Sequence, residues 1–145
     1  MKTDNSKPLV MLIDHCMINK YVNRKMLQLY GFSDHIISYR NLRKAIDFIR
    51  DTVRATHDLR LLPGYIFLST GCNPAEEKYF IDEFNKLPEY LRDHMRLILL
   101  TNSFRKKEVE VQFEKANVFA SLSMPLIRQD IEQIHFLSER LQVPC

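Results

Sequence analysis

Asp14, His15 and Cys16 follow directly on an apolar run, Pro8 to Ile13, and bring a carboxylate, an imidazole and a thiol into one short stretch. Three further apolar runs end in the same way. Tyr65 to Leu68 leads into Ser69-Thr70-Gly71-Cys72-Asn73, Arg96 to Leu100 into Thr101-Asn102, and Asn117 to Leu122 into Ser123-Met124. Each set suggests a chemistry. A lone carboxylate helps to place a hard cation, which asks for several oxygen ligands. Imidazole and thiolate suit zinc or copper better than magnesium. A serine hydroxyl becomes a useful nucleophile only beside a base.

The runs must be placed by elements that bring their ends together. Continuous apolar runs, rather than alternation, suit strands covered on both faces, as in a parallel sheet. A weaker run, His35 to Tyr39, makes a fifth. Between them lie helical stripes. Ile18, Val22, Met26 and Leu29 form the first, with Gly31 where a left-handed cap belongs. Leu42, Ala45, Ile46, Ile49 and Val53 form the second, and Tyr79, Phe80, Phe84 and Leu87 the third. Phe104, Val109 and Phe113 form the fourth. Ile127, Ile131, Ile134 and Leu141 form the fifth, opened by Pro125 in its first turn. Asp51 to Leu62 reads as a long helix end plus a loop. Strand starts about 20–30 residues apart leave room for one crossover helix each. The spacing predicts an α/β fold, a single doubly wound five-stranded parallel sheet with helices on both faces. In such sheets ligands bind beyond the carboxyl ends of the strands, where the polar sets lie.

The 145 residues suit one domain. Residues 1–7 read as a flexible N-terminus, 8–142 as the folded domain and 143–145 as a tail. A net charge of +3, with Arg105-Lys106-Lys107 as its nearest approach to a basic block, argues against nucleic acid as a partner. No run approaches the roughly 20 apolar residues of a membrane span, and no signal-peptide pattern opens the chain. Three cysteines, Cys16, Cys72 and Cys145, do not form a disulfide framework. The expectation is a cytoplasmic protein that does not engage membranes.

The stretch LIDHCMINKYVNRKMLQLYGF resembles the opening of a bacterial response-regulator receiver domain. YIFLSTGCNP, EFNKLPEYLRDHMRLILLTNS and ASLSMPL match that family's later motifs in order and spacing. The resemblance covers about Lys7 to Gln142. It implies a flavodoxin-like, CheY-like sheet in the order 2-1-3-4-5 with five helices, and a role in two-component or phosphorelay signal transduction. It also implies a site that this chain keeps only in part. Of the acidic pair after the first strand, Asp14 is kept and His15 replaces the second member. The phosphoacceptor aspartate aligns with Ser69. The threonine after the fourth strand is Thr101. The lysine before the conserved proline is Met124, ahead of Pro125, and the aromatic switch aligns with Ser121. The proline after the acceptor falls one residue late, at Pro74.

The chain therefore reads as a pseudo-receiver with a degenerate phosphorylation site at Asp14, His15, Ser69, Thr101 and Met124. Mg²⁺ and other cofactors are not expected, and the protein is not expected to be an enzyme. It should act by contact with a signalling protein, a histidine kinase or an output regulator, or with a second copy of itself. In the family the output surface is the face of the fourth helix, fifth strand and fifth helix, here Phe104, Arg105, Lys106, Ser121, Arg128 and Gln129. A second reading makes Asp14, His15, Cys16 and Cys72 a transition-metal or redox site. A third makes Ser69 a hydrolytic nucleophile with His15 as base, although the flanking of a G-x-S-x-G elbow is missing.

Overall fold

A computed structural model describes residues 7–71, 73–102 and 106–142. Five strands, β1 (Leu9–Ile13), β2 (His35–Tyr39), β3 (Tyr65–Ser69), β4 (Arg96–Thr101) and β5 (Val118–Ser123), form one sheet. All neighbours are parallel and the order is β2-β1-β3-β4-β5. The helices are α1 (Met17–Leu29), α2 (Leu42–Ala55), α3 (Pro74–Asn85), α4 (Glu89–His94), α5 (Lys106–Gln112) and α6 (Arg128–Gln142). A single 3₁₀ turn, Leu59–Leu61, precedes β3. Among the described residues no helix is long and apolar enough to cross a membrane.

The alternation of side chains along each strand divides the core in two. Met11 and Ile13 of β1 and Ile66 and Leu68 of β3 face a cluster filled by Ile46 and Ile49 of α2, Phe80 and Phe84 of α3, Leu91 of α4 and Phe113. Val10, Leu12, Phe67 and Ile98 face the other way, onto Leu27 of α1 and Ile131 and Ile134 of α6. Burying each such side chain contributes about 1.5–3 kcal/mol. β1, β3 and β4 are covered on both faces, whereas the edge strands β2 and β5 are largely half-buried. This explains why the apolar runs of the inner strands are continuous.

Helix starts follow their capping chemistry. Asn41 Oδ1 accepts the backbone N–H groups of Arg43 (2.7 Å) and Lys44 (3.2 Å), two donors that the first turn of α2 leaves unpaired. Asn73 Oδ1 accepts the N–H of Glu76, with Pro74 in the first helical position of α3. Gly31, at φ 68°, supplies the left-handed residue after α1.

Three expectations are corrected. The expected inward stripe of α1 is rotated: Ile18 and Leu29 are 74% and 72% exposed, while the buried residues of α1 are Leu27 and Asn23. Asn23 is tolerated there because its Oδ1 accepts the N–H of Leu126 at 3.0 Å. α6 begins at Arg128 rather than at Pro125, and Ile127 stays outside it, half exposed. The Asp130 carboxylate caps that start by accepting the Ile127 N–H. The short α4 after Pro88 is an extra helix beyond the five expected, made by Leu91 packing into the core. Phe104 of the expected fourth stripe lies outside the described residues, as does Cys145.

Candidate functional site at the carboxyl rim of the sheet

Parallel register brings the ends of the inner strands level. Ile13 pairs with Leu68, and Ser69 with Leu100, so Asp14, Ser69 and Thr101 follow one another along one rim. The Asp14 N–H is fixed by the Tyr39 carbonyl (3.0 Å) and the Thr70 N–H by the Leu100 carbonyl (3.0 Å). Burial raises the Tyr39 phenol above its ordinary value of 10.0, which keeps it a neutral ring beside the rim.

The Asp14 carboxylate is only 4% exposed, and both of its oxygens are engaged. The Ser69 hydroxyl donates to Oδ2 at 2.6 Å, and the Cys16 backbone N–H donates to Oδ1 at 2.8 Å. His15 Nδ1 stands 3.8 Å from Oδ1, but the imidazole itself faces mostly outward. Thus Ser69, Asp14 and His15 do come together, with Asp14 in the middle. Thr101 is buried beside them, and its Oγ1 has no hydrogen-bond partner among the described residues. The Thr101 carbonyl accepts the Met124 N–H at 3.0 Å, while the Met124 side chain packs against the core on the α1–α6 side. A half-buried thioether offers no charge to the rim.

Asp14, His15 and Ser69 line a cavity of about 220 Å³ together with Arg40, Asn73, Glu76 and Glu77. Sequence reasoning did not single out Glu77. It is buried, and its Oε2 accepts the Gly71 N–H at 2.8 Å, which ties the loop after β3 to α3. The available signal was the helix start at Asn73-Pro74, which places Glu77 one turn into α3 and able to reach back to the loop. Arg40, just after β2, supplies the only guanidinium lining this cavity among the described residues.

Of the positions that follow β1 and close β3, Asp14 supplies one carboxylate with both oxygens hydrogen-bonded, His15 an outward imidazole and Ser69 a hydroxyl, a poor set for the several hard oxygens that magnesium asks for. Glu76 and Glu77 line the same cavity, but no three His, Cys, Asp or Glu side chains gather to hold an ion among the described residues. This bears equally on the alternative transition-metal site. Cys72 lies outside those residues, and Cys16 is half-buried with a free thiol. For the hydrolytic alternative, the Ser69 hydroxyl points its proton at Asp14 rather than at an imidazole, and a carboxylate is a weak base for that task.

The expected output face is only partly described. Phe104 and Arg105 lie outside the described residues, and of Lys106 the helical backbone alone is described. Ser121 Oγ is enclosed without a partner among the described residues. Arg128 pairs with Glu132 (3.1 Å) and sits 5.8 Å from the Tyr30 ring.

Sheet order, helix placement and the polar rim together define the fold of response-regulator receiver domains. Three solved structures illustrate the likeness. A two-component response regulator from Cytophaga hutchinsonii superposes with a TM-score of 0.70 at 21% identity, over 93% of this chain and 97% of its own. A receiver protein from Dyadobacter fermentans gives 0.71 at 18%, over 89% and 96%. The phosphorylated cyanobacterial phytochrome response regulator RcpA gives 0.65 at 12%, over 96% and 97%. The sequence matches no family model and no curated protein.

Proposed function

We propose that this protein is a pseudo-receiver of a bacterial two-component or phosphorelay system, working in the cytoplasm by protein contact and without aspartyl phosphorylation. The observation that carries this reading is the bond from the Ser69 hydroxyl to Asp14. Where receivers place an acceptor carboxylate, this chain places a donor, and that donor occupies the one acidic side chain kept from the metal-binding pair. Phosphoryl transfer depends on positioned cations that neutralise charge spread over the equatorial oxygens. Met124 in the lysine position supplies none. With Ser121 in the place of the aromatic switch, Thr101 has no ring to move, so the conformation is set by the fold or by a partner. The same losses leave the protein without a catalytic residue or a resident cofactor, and Mg²⁺ has no role in this reading.

The partner is a histidine kinase, an output regulator or a second copy of this chain. The proposed output face on α5, β5 and α6 includes Lys106, Ser121 and Arg128, together with the unplaced Phe104 and Arg105. Exposed Val111, Ile127 and Phe136 add apolar contact area on those elements and the turn before α6. A second surface has a stronger physical basis. On α1, Ile18, Tyr21, Lys25 and Leu29 stand at spacings that place them on one outward stripe, with Lys25 Nζ 5.5 Å from the Tyr21 ring. α1 carries Lys20, Arg24 and Lys25 and no acidic residue, which favours an acidic partner surface.

Affinity capture from native cells tests this reading, with the wild-type protein compared with an Ile18→Glu/Tyr21→Glu variant. A signalling kinase or regulator enriched by the wild-type protein and lost with the variant supports protein contact. Identical captured sets from both, or none of these classes from either, contradict it.

A further inference from the structure

The opposite rim, where the strands begin, carries two adjoining clefts of about 570 Å³ each, which share Asp93 and Arg96. Their size is that of small-molecule sites, roughly 300–1,000 Å³. The first cleft opens between the end of α4 and the starts of β4 and β5, with Leu137 of α6 in its lining.

Arg96 is held at the junction of the two. Its guanidinium lies 5.5 Å from the Tyr65 ring centre and 5.4 Å from that of Phe119. Its Nη1 donates to Tyr65 Oη at 3.0 Å, and that hydroxyl is bonded in turn to Ser138 Oγ. The fork is thereby fixed in orientation, yet this bond uses one of five N–H groups. Arg92, one turn into the adjoining helix, is anchored by its Nε to the Leu87 carbonyl at 3.0 Å. Both arginines are half-buried, and among the described residues neither forms an ion pair. Asp93, the acidic residue lining the first cleft, is exposed and does not reach either of them. Two half-buried arginines beside one exposed carboxylate leave the cleft with a surplus of one positive charge, which suits a single negative charge. It suits a phosphate dianion less well, because Asp93 offsets part of the field. The rest of the lining is Phe119, Val118 and Leu137, with Asn117 at the edge, which favours a flat apolar body.

We propose that this cleft binds a small aromatic monocarboxylate. Arg96 holds the carboxylate, Arg92 stands beside it, and the ring lies against Phe119 and Leu137. This site is independent of the carboxyl rim and of the pseudo-receiver reading, so either can fail without the other.

The test is a titration of the ¹⁵N-labelled full chain with benzoate, followed by amide chemical shifts, with benzamide as the uncharged isostere. Benzoate is expected to shift the amides of Arg96, Phe119 and Leu137 saturably, and benzamide to bind about tenfold more weakly or worse. Arg96→Met is expected to weaken benzoate by about tenfold, the loss of one charge-assisted pair. Arg92→Met, which leaves the Tyr65 contact intact, serves as a second variant with a smaller loss if Arg96→Met does not fold. The proposal is overturned if those amides do not saturate, if benzamide binds as well as benzoate, or if the folded variants bind like the wild type.

Discussion

Ser69 and Asp14 form the shortest polar contact described at the carboxyl rim, 2.6 Å, and it joins the ends of two adjacent strands. Removing the hydroxyl leaves a buried carboxylate oxygen without its donor. Ser69→Ala is therefore expected to lower stability by about 1–3 kcal/mol, the cost of an orphaned buried acceptor. Urea denaturation would register this as a lower midpoint with an unchanged slope. A smaller loss would mean that water replaces the hydroxyl. Asp14, Ser69, Thr101 and Met124 were legible in the sequence because each closes an apolar run, and strand ends in a parallel sheet converge on one rim. Glu77 was not legible. A glutamate early in a helix ordinarily faces solvent, and only the path of the loop through Gly71 turns it inward. Nor could the sequence show that the Ser69 proton goes to Asp14, since that depends on the register of β1 and β3.

At the scale of elements, the sheet and the stripes of α2 and α3 were legible from periodicity, because Ile46, Ile49, Phe80 and Phe84 recur at helical spacing against a wholly apolar partner. α1 was not. Its apolar residues are spread around the helix, and the buried Asn23 breaks the pattern that an inward stripe should follow. Asn23→Ala removes the acceptor of the Leu126 N–H ahead of α6, and about 1–3 kcal/mol of lost stability is expected by thermal or chemical unfolding. Asn23→Leu should not rescue it, because the Leu126 donor stays buried. Between α2 and α3, Glu83 is held below its ordinary value of 4.5, first by the hydrogen bond from Lys86 and also by Arg50. Glu83 in turn raises Lys86. Because the folded-state value is the lower one, the Glu83 contribution is present above pH 4.5 and is lost as pH falls through the depressed value. Wild type and Glu83→Gln should thus differ in urea midpoint at pH 7 and converge as the pH drops below 4.5. A gap that stays constant with pH would assign the contact to packing rather than to charge.

For the whole molecule, two opposite rims of one sheet take different parts. At the carboxyl rim the polar groups are turned inward: Asp14 is bonded twice and Thr101 is enclosed, while half-buried Met124 packs against the core. The outer surface of α1 keeps exposed apolar side chains among basic ones, which a folded domain of this size ordinarily covers or uses. In the proposed pseudo-receiver, the carboxyl rim does not accept a phosphoryl group. Incubation with acetyl phosphate and Mg²⁺, followed by intact-protein mass, tests it most directly. The expected result is an unchanged mass over the time in which a phosphorylatable receiver is modified; a phosphoryl increment mapped to Ser69 or Asp14 would contradict it.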